Sequence, residues 1–151
     1  MPGALDGLRV VDLTTGLAGP IATMTLSDHG ADVVKVEPPG GDPQRSYVGS
    51  VVTNRGKRSV VLDLDVAADR DRLLDLVDTA DVLVESFAPG HLARRGLDYP
   101  SVAPDRPSLV YCSLTGYPRT TDAAGRPAID LLVQARSGMQ YEQPGFREGP
   151  I

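Results

Sequence analysis

Residues 9–42, RVVDLTTGLAGPIATMTLSDHGADVVKVEPPGGD, constrain the fold of this chain more than any other stretch. Val10-Val11-Asp12-Leu13 reads as one strand and Val33-Val34-Lys35-Val36 as the next. Between them runs a helical pattern with Pro20 in its first turn and Gly30 at its stop. The spacing of Leu17, Ile21 and Met24 predicts three apolar groups on one face of that helix. Strand and helix are joined by Gly16-Leu17-Ala18-Gly19-Pro20, whose small residues leave backbone amides uncovered at a helix start. Such amides carry partial positive charge and let an anion approach closely. The unit points to a nucleotide-like ligand.

The same order repeats downstream. Pro38 to Arg58 reads as a long polar loop holding PPGGD, three arginines and Lys57, and loops of that length are commonly functional. Val60-Val61-Leu62-Asp63-Leu64 resumes the strands. Leu73, Leu76, Val77 and Ala80 mark the buried stripe of a helix, with Asp65 or a neighbour as its cap. Val82-Leu83-Val84 is a further strand, Pro89 to Gly96 a helical turn ending at glycine, and Leu109-Val110-Tyr111-Cys112 another strand. Ile129, Leu132 and Val133, with Met139 further on, predict an amphipathic helix. The tail YEQPGFREGPI then reads as a loop whose continuation is missing. Apolar strands separated by helices predict an α/β fold: an open, mostly parallel sheet with helices on both faces and right-handed crossovers. Ligands of such sheets bind beyond the carboxyl ends of the strands.

Composition narrows the function. The 151 residues, 41% hydrophobic, suffice for one globular core. A net charge of −5, aromatics at 5% and no basic run argue against a nucleic-acid surface and favour small-molecule chemistry. The single Cys112 has no intramolecular disulfide partner, reads as a small packed hydrophobe without a catalytic role, and fits a reducing, cytoplasmic setting. The start MPGALDGLRVV lacks the pattern of a secretory leader, and no segment is long enough to span a bilayer. His29 and His91 lie far apart without ligand-spaced partners, so no metal site is expected. Gly16–Pro20 matches neither the dinucleotide fingerprint nor the phosphate loop, which leaves an ordinary tight turn as the competing reading. Arg45, Arg55, Lys57 and Arg58, with Arg94 and Arg95 from a separate segment, either solvate their loops or converge on phosphates. Asp130 reads as a helix cap before it reads as an active carboxylate.

Taken together the segments resemble the class III CoA-transferases, the group that includes formyl-CoA transferase and carnitine CoA-transferase and is related to α-methylacyl-CoA racemase. The resemblance rests on LDGLRVVDLT, LAGP, GADVVKVEPPGGD, NRGKRSVVLDL, ADVLVESFAPG with RRGL, LVYCSLTGY and DLLVQARSG, in that order along essentially the whole chain. It implies that residues 1–151 are the N-terminal, CoA-binding part of a large domain with a Rossmann-like sheet. The small domain and the C-terminal return to the large one would follow later, within an interlocked homodimer.

The resemblance also implies a site. Leu17 and Ala18 in the turn, Pro38 after the second strand, Leu62 in VVLDL and Arg94 after APGHLA are the expected CoA contacts, with Arg94 on a phosphate. Where the family often has a lysine reaching toward CoA, this chain has Asp65, which repels phosphate unless it turns away. The substrates implied are an acyl-CoA and a carboxylic acid. The family nucleophile is an aspartate that forms a mixed anhydride and then an aspartyl-CoA thioester. It is expected a few residues beyond Ile151, so residues 1–151 alone are expected to be inactive. Ile129 stands where the racemases carry a proton-transferring histidine and the transferases often a tyrosine, which disfavours racemase chemistry. A non-catalytic CoA-binding fragment or degenerate paralogue is the alternative.

Overall fold

The structure, a computed structural model, describes residues 3–142. The chain divides into two compact units, Met1–Leu114 and Thr115–Ile151. The first is built from β1 (Arg9–Leu13), α1 (Ala18–Asp28), β2 (Asp32–Glu37), α2 (Gly49–Thr53), β3 (Arg58–Val61), α3 (Ala67–Asp78), β4 (Val82–Glu85), α4 (Tyr99–Val102) and β5 (Val110–Ser113). Single turns of 3-10 helix lie at Pro43–Ser46, Ala93–Arg95 and Ala103–Asp105.

The five strands form one sheet in the order β3-β2-β1-β4-β5, every pair parallel. The expected α/β class is thus present, with a strand order typical of doubly wound folds. Successive strand residues point to opposite faces, and each face has its own core. Val11, Leu13, Val36 and Leu83 pack with Leu73 and Val77 of α3 and with Leu92, Leu97 and Val102. Val10, Ala31, Val33 and Val84 pack on the other side, with Leu26 of α1 against them. Leu73 and Val77 are fully buried, and each such side chain stabilises the fold by about 1.5–3 kcal/mol. Half-buried Cys112 joins the second cluster.

Several local expectations are corrected. The buried face of α1 is Gly19, Pro20 and Thr23, whereas Leu17 is 68% exposed and Ile21 is also exposed. Close packing of α1 on β1 demands small residues there: a Cβ on Gly19 would come within 2.3 Å of Thr14 Cβ. The third strand is Arg58–Val61 and stops short of Leu64, because the Asp69 carboxylate takes the Asp63 amide and the Asp63 carboxylate takes the Asp65 amide, which turns the chain into α3. Of Asp65 or a neighbour as cap of α3, the neighbour Val66 holds the position, with no side-chain hydrogen bond. Pro38–Arg58 is not plain loop, since Asp42 caps the turn Pro43–Ser46 and α2 follows it.

In the second unit α5 (Asp130–Ser137) ends at Gly138, whose φ of +82° suits glycine, and α6 (Met139–Glu142) follows. Asp130 is not the cap: Ile129 holds that position, and the Asp130 carboxylate accepts from Gln134 Nε2 at 2.6 Å. The Arg136 guanidinium lies over the Tyr117 ring at 5.5 Å. The expected C-terminal loop falls mostly outside the described residues.

Candidate functional site

In a doubly wound sheet the chain reverses direction where β1 sits beside β4, and its ligands bind outside the carboxyl ends of the strands there. The Thr15 amide bridges this point by donating to Ser86 Oγ at 2.9 Å. Beside it a cavity of about 310 Å³ opens over the carboxyl ends of β1, β2 and β3. Pro38 and Pro39 after β2, Leu62 and Leu64 after β3, and Phe87 and His91 after β4 give it mainly apolar walls. The Phe87 and His91 rings, four residues apart in the chain, stack at 4.5 Å and within 2° of parallel, and present flat surface to a planar ligand. Burial, aided by the positive charges of Arg95 and Arg94, pulls the His91 pKa down and favours the neutral ring.

The charged rim is organised by two ion pairs. Arg95 Nε and Nη2 reach Asp65 Oδ1 at 3.0 and 2.5 Å, while Arg95 Nη1 holds the His91 carbonyl at 3.0 Å. The Asp65 charge is thereby compensated within the protein. On the β2 side, Glu37 is buried and accepts both Arg45 Nε and Arg45 Nη2 at 2.6 Å, together with the Asp42 amide at 2.8 Å. The Arg45 contacts hold the Glu37 carboxyl below the usual range.

The expected contacts separate into three places. Pro38 and Leu62 line the cavity. Leu17 lines a neighbouring hollow of about 330 Å³ with Gly16 and Tyr47, and Ala18 is exposed in the first turn of α1, which has no side-chain cap. Arg94 is exposed on the turn Ala93–Arg95 and does not line the cavity, whereas Arg95 does. The loop cations do not converge: Arg45 pairs with Glu37, Arg55 with Asp28, Lys57 with Asp12, Arg58 with Asp32 and Arg95 with Asp65. Sequence reasoning named Arg95 among the cations that could meet phosphate, but did not single out His91 as a cavity residue. The signal available was its spacing of four residues from the aromatic Phe87.

A further hollow of about 340 Å³ opens at the amino ends of β1 to β3 near Arg9, Asp32 and Arg58, but Arg58 is already engaged by Asp32 at 2.5 Å. Among the described residues no group of three or more His, Cys, Asp or Glu side chains could hold a metal ion, and no helix is long and apolar enough to cross a membrane.

The sequence pattern of CoA-transferase family III matches residues 5–150. The chain belongs to that family. It is 46% identical to the succinyl-CoA:mesaconate CoA-transferase of Haloarcula hispanica, over 98% of this chain and 41% of that protein. It is 45% identical to the acetyl-CoA:oxalate CoA-transferase of Acetobacter aceti, over 98% of this chain and 40% of that protein. A crystal structure of Rv3272 from Mycobacterium tuberculosis superposes with a TM-score of 0.91 at 40% identity, covering 99% of this chain and 43% of the other. A CAIB/BAIF family protein from Brucella suis gives a TM-score of 0.92 at 37% identity, covering 100% and 43%. The chain thus spans about 40% of the length of the curated relatives it matches, and corresponds to their N-terminal part. CoA-transferases take CoA thioesters as substrates.

Proposed function

We propose that residues 1–151 form the CoA-binding part of an enzyme that moves CoA between an acyl-CoA and a carboxylic acid. The observation that carries this is family membership over nearly the whole chain, with named CoA-transferases among its relatives. The cavity gives the reading a location. Its apolar walls and the stacked Phe87–His91 pair suit the adenosine end of CoA, with Pro38 and Leu62 in contact. Arg94 stands outside the cavity as a guanidinium for phosphate, because Arg95 is taken up by Asp65. Leu17 and the uncapped amides at Ala18 face the ligand from the α1 side.

In the proposed reaction a carboxylate oxygen attacks the thioester carbonyl, the C–S bond breaks, and CoA leaves as thiolate, giving a mixed anhydride. The thiolate then attacks the enzyme's own acyl carbon, which releases the first acid and forms an enzyme-CoA thioester. An incoming carboxylate repeats the sequence in reverse. In this reading the nucleophile is an aspartate a few residues beyond Ile151, and Asp130 has no part in the step. We extend the same reading to a homodimer acting in the cytoplasm.

Titration calorimetry on the whole protein carrying this chain tests the proposal. Heat of binding for CoA, with loss of affinity in Arg94→Ala, is expected; absence of CoA binding by the wild-type protein overturns it.

A further inference from the structure

Beneath the Gly16–Pro20 turn lies a buried ionic assembly that the proposed reaction does not use. Asp12, at 0% exposure, sits on the α1 face of β1 where the pattern otherwise supplies valine. Its Oδ1 accepts the Thr14 amide at 2.8 Å and Thr14 Oγ1 at 2.5 Å. Its Oδ2 accepts Thr23 Oγ1 at 2.6 Å and Lys57 Nζ at 3.0 Å. Lys57 Nζ also donates to Thr23 Oγ1 at 2.7 Å and to the Pro20 carbonyl at 3.0 Å, so its three protons meet three acceptors. Burial pulls the Lys57 pKa down, and the adjacent Asp12 charge opposes that shift. At the other end of the turn, buried Lys35 donates to the Thr14 carbonyl at 3.1 Å and pairs with Asp42 Oδ2 at 2.6 Å.

The two lysines therefore grip the two ends of the turn, Thr14 and Pro20, from below. They lie near opposite ends of Pro38–Arg58: Lys35 precedes it on β2 and Lys57 is its penultimate residue. Buried ion pairs add little net stability, because desolvation offsets attraction. What two of them contribute here is geometry. A ligand-binding turn needs its amides fixed before the ligand arrives, since ordering them on binding subtracts from affinity.

We propose that Lys57 is a positioning residue for the Gly16–Pro20 turn: its ammonium, held by Asp12 and Thr23, sets the Pro20 carbonyl and with it the first-turn amides of α1 for an anionic ligand. The proposal rests on the reading of that turn as part of the CoA site. It locates the effect in a side chain that touches no ligand.

The test uses the whole protein with Lys57→Met, Thr23→Val and Thr23→Ser. For Lys57→Met, CoA affinity is expected to fall at least about tenfold, the scale of one lost charge-assisted hydrogen bond. KM for acyl-CoA is expected to rise with KM for the carboxylic acid unchanged. Thr23→Val should weaken CoA binding by about threefold, a part of that effect, and Thr23→Ser, which keeps the hydroxyl, should restore it. If Lys57→Met does not fold, the Thr23 pair decides. Wild-type CoA affinity in Thr23→Val, or equal KM increases for both substrates in a folded Lys57→Met, overturns the proposal. Amide hydrogen exchange separates it from the CoA reading: faster exchange confined to residues 14–21 supports the clamp even if the wild type binds no CoA, and unchanged exchange there overturns it.

Discussion

Asp65 and Arg95 show how one residue's meaning depends on a distant partner. Alone, a carboxylate at the rim of the cavity opposes an anionic ligand; paired at 2.5 Å it leaves the rim close to neutral. Arg95→Ala should therefore weaken CoA binding more than Arg94→Ala does, because it uncovers the Asp65 charge as well as removing a cation. Arg95→Ala/Asp65→Ala should recover part of the loss, and a double-mutant cycle read by calorimetry checks this coupling. Glu37 gives a pH prediction. Its folded pKa is depressed, chiefly by Arg45, so the native state binds fewer protons than the unfolded chain below about pH 4.5. The stabilisation is present above that range and is lost as pH falls through the folded value. Arg45→Met should move the acid unfolding midpoint to higher pH, measured by circular dichroism.

At the level of elements, α1 is defined by what it lacks. Gly19 faces Thr14 so closely that a methyl group has no room. Gly19→Ala is expected to destabilise the protein by about 1–3 kcal/mol, as overpacking does, and to lower affinity for CoA together with the thermal midpoint. The helical period around Leu17, Ile21 and Met24 misled because it tracks apolar residues, whereas the inward face of α1 is selected for size and for the Thr23 hydroxyl. The strands were legible at Val10–Leu13, Val33–Val36 and Val82–Val84, since burial on both faces leaves continuous β-branched runs. Leu73 and Val77 were legible for the same reason on a helix. The site was legible in part. Pro38 and Leu62 stand at strand ends, where topology alone places ligands, but the engagement of Arg45, Arg55, Arg58 and Arg95 depends on acids 8 to 30 positions away. Local pattern holds no record of such pairings.

For the molecule as a whole, the sheet explains why this segment can carry a carrier-binding site. All five strands run the same way, so every loop that follows a strand emerges on one edge, and residues from 13 to 95 meet there. The same arrangement leaves two sides of the sheet without a neighbouring strand among the described residues. β3 begins with Arg58, whose charge pairs with Asp32 on the adjoining strand. β5 is Val-Tyr-Cys-Ser, with Val110 59% exposed and no charged residue along it.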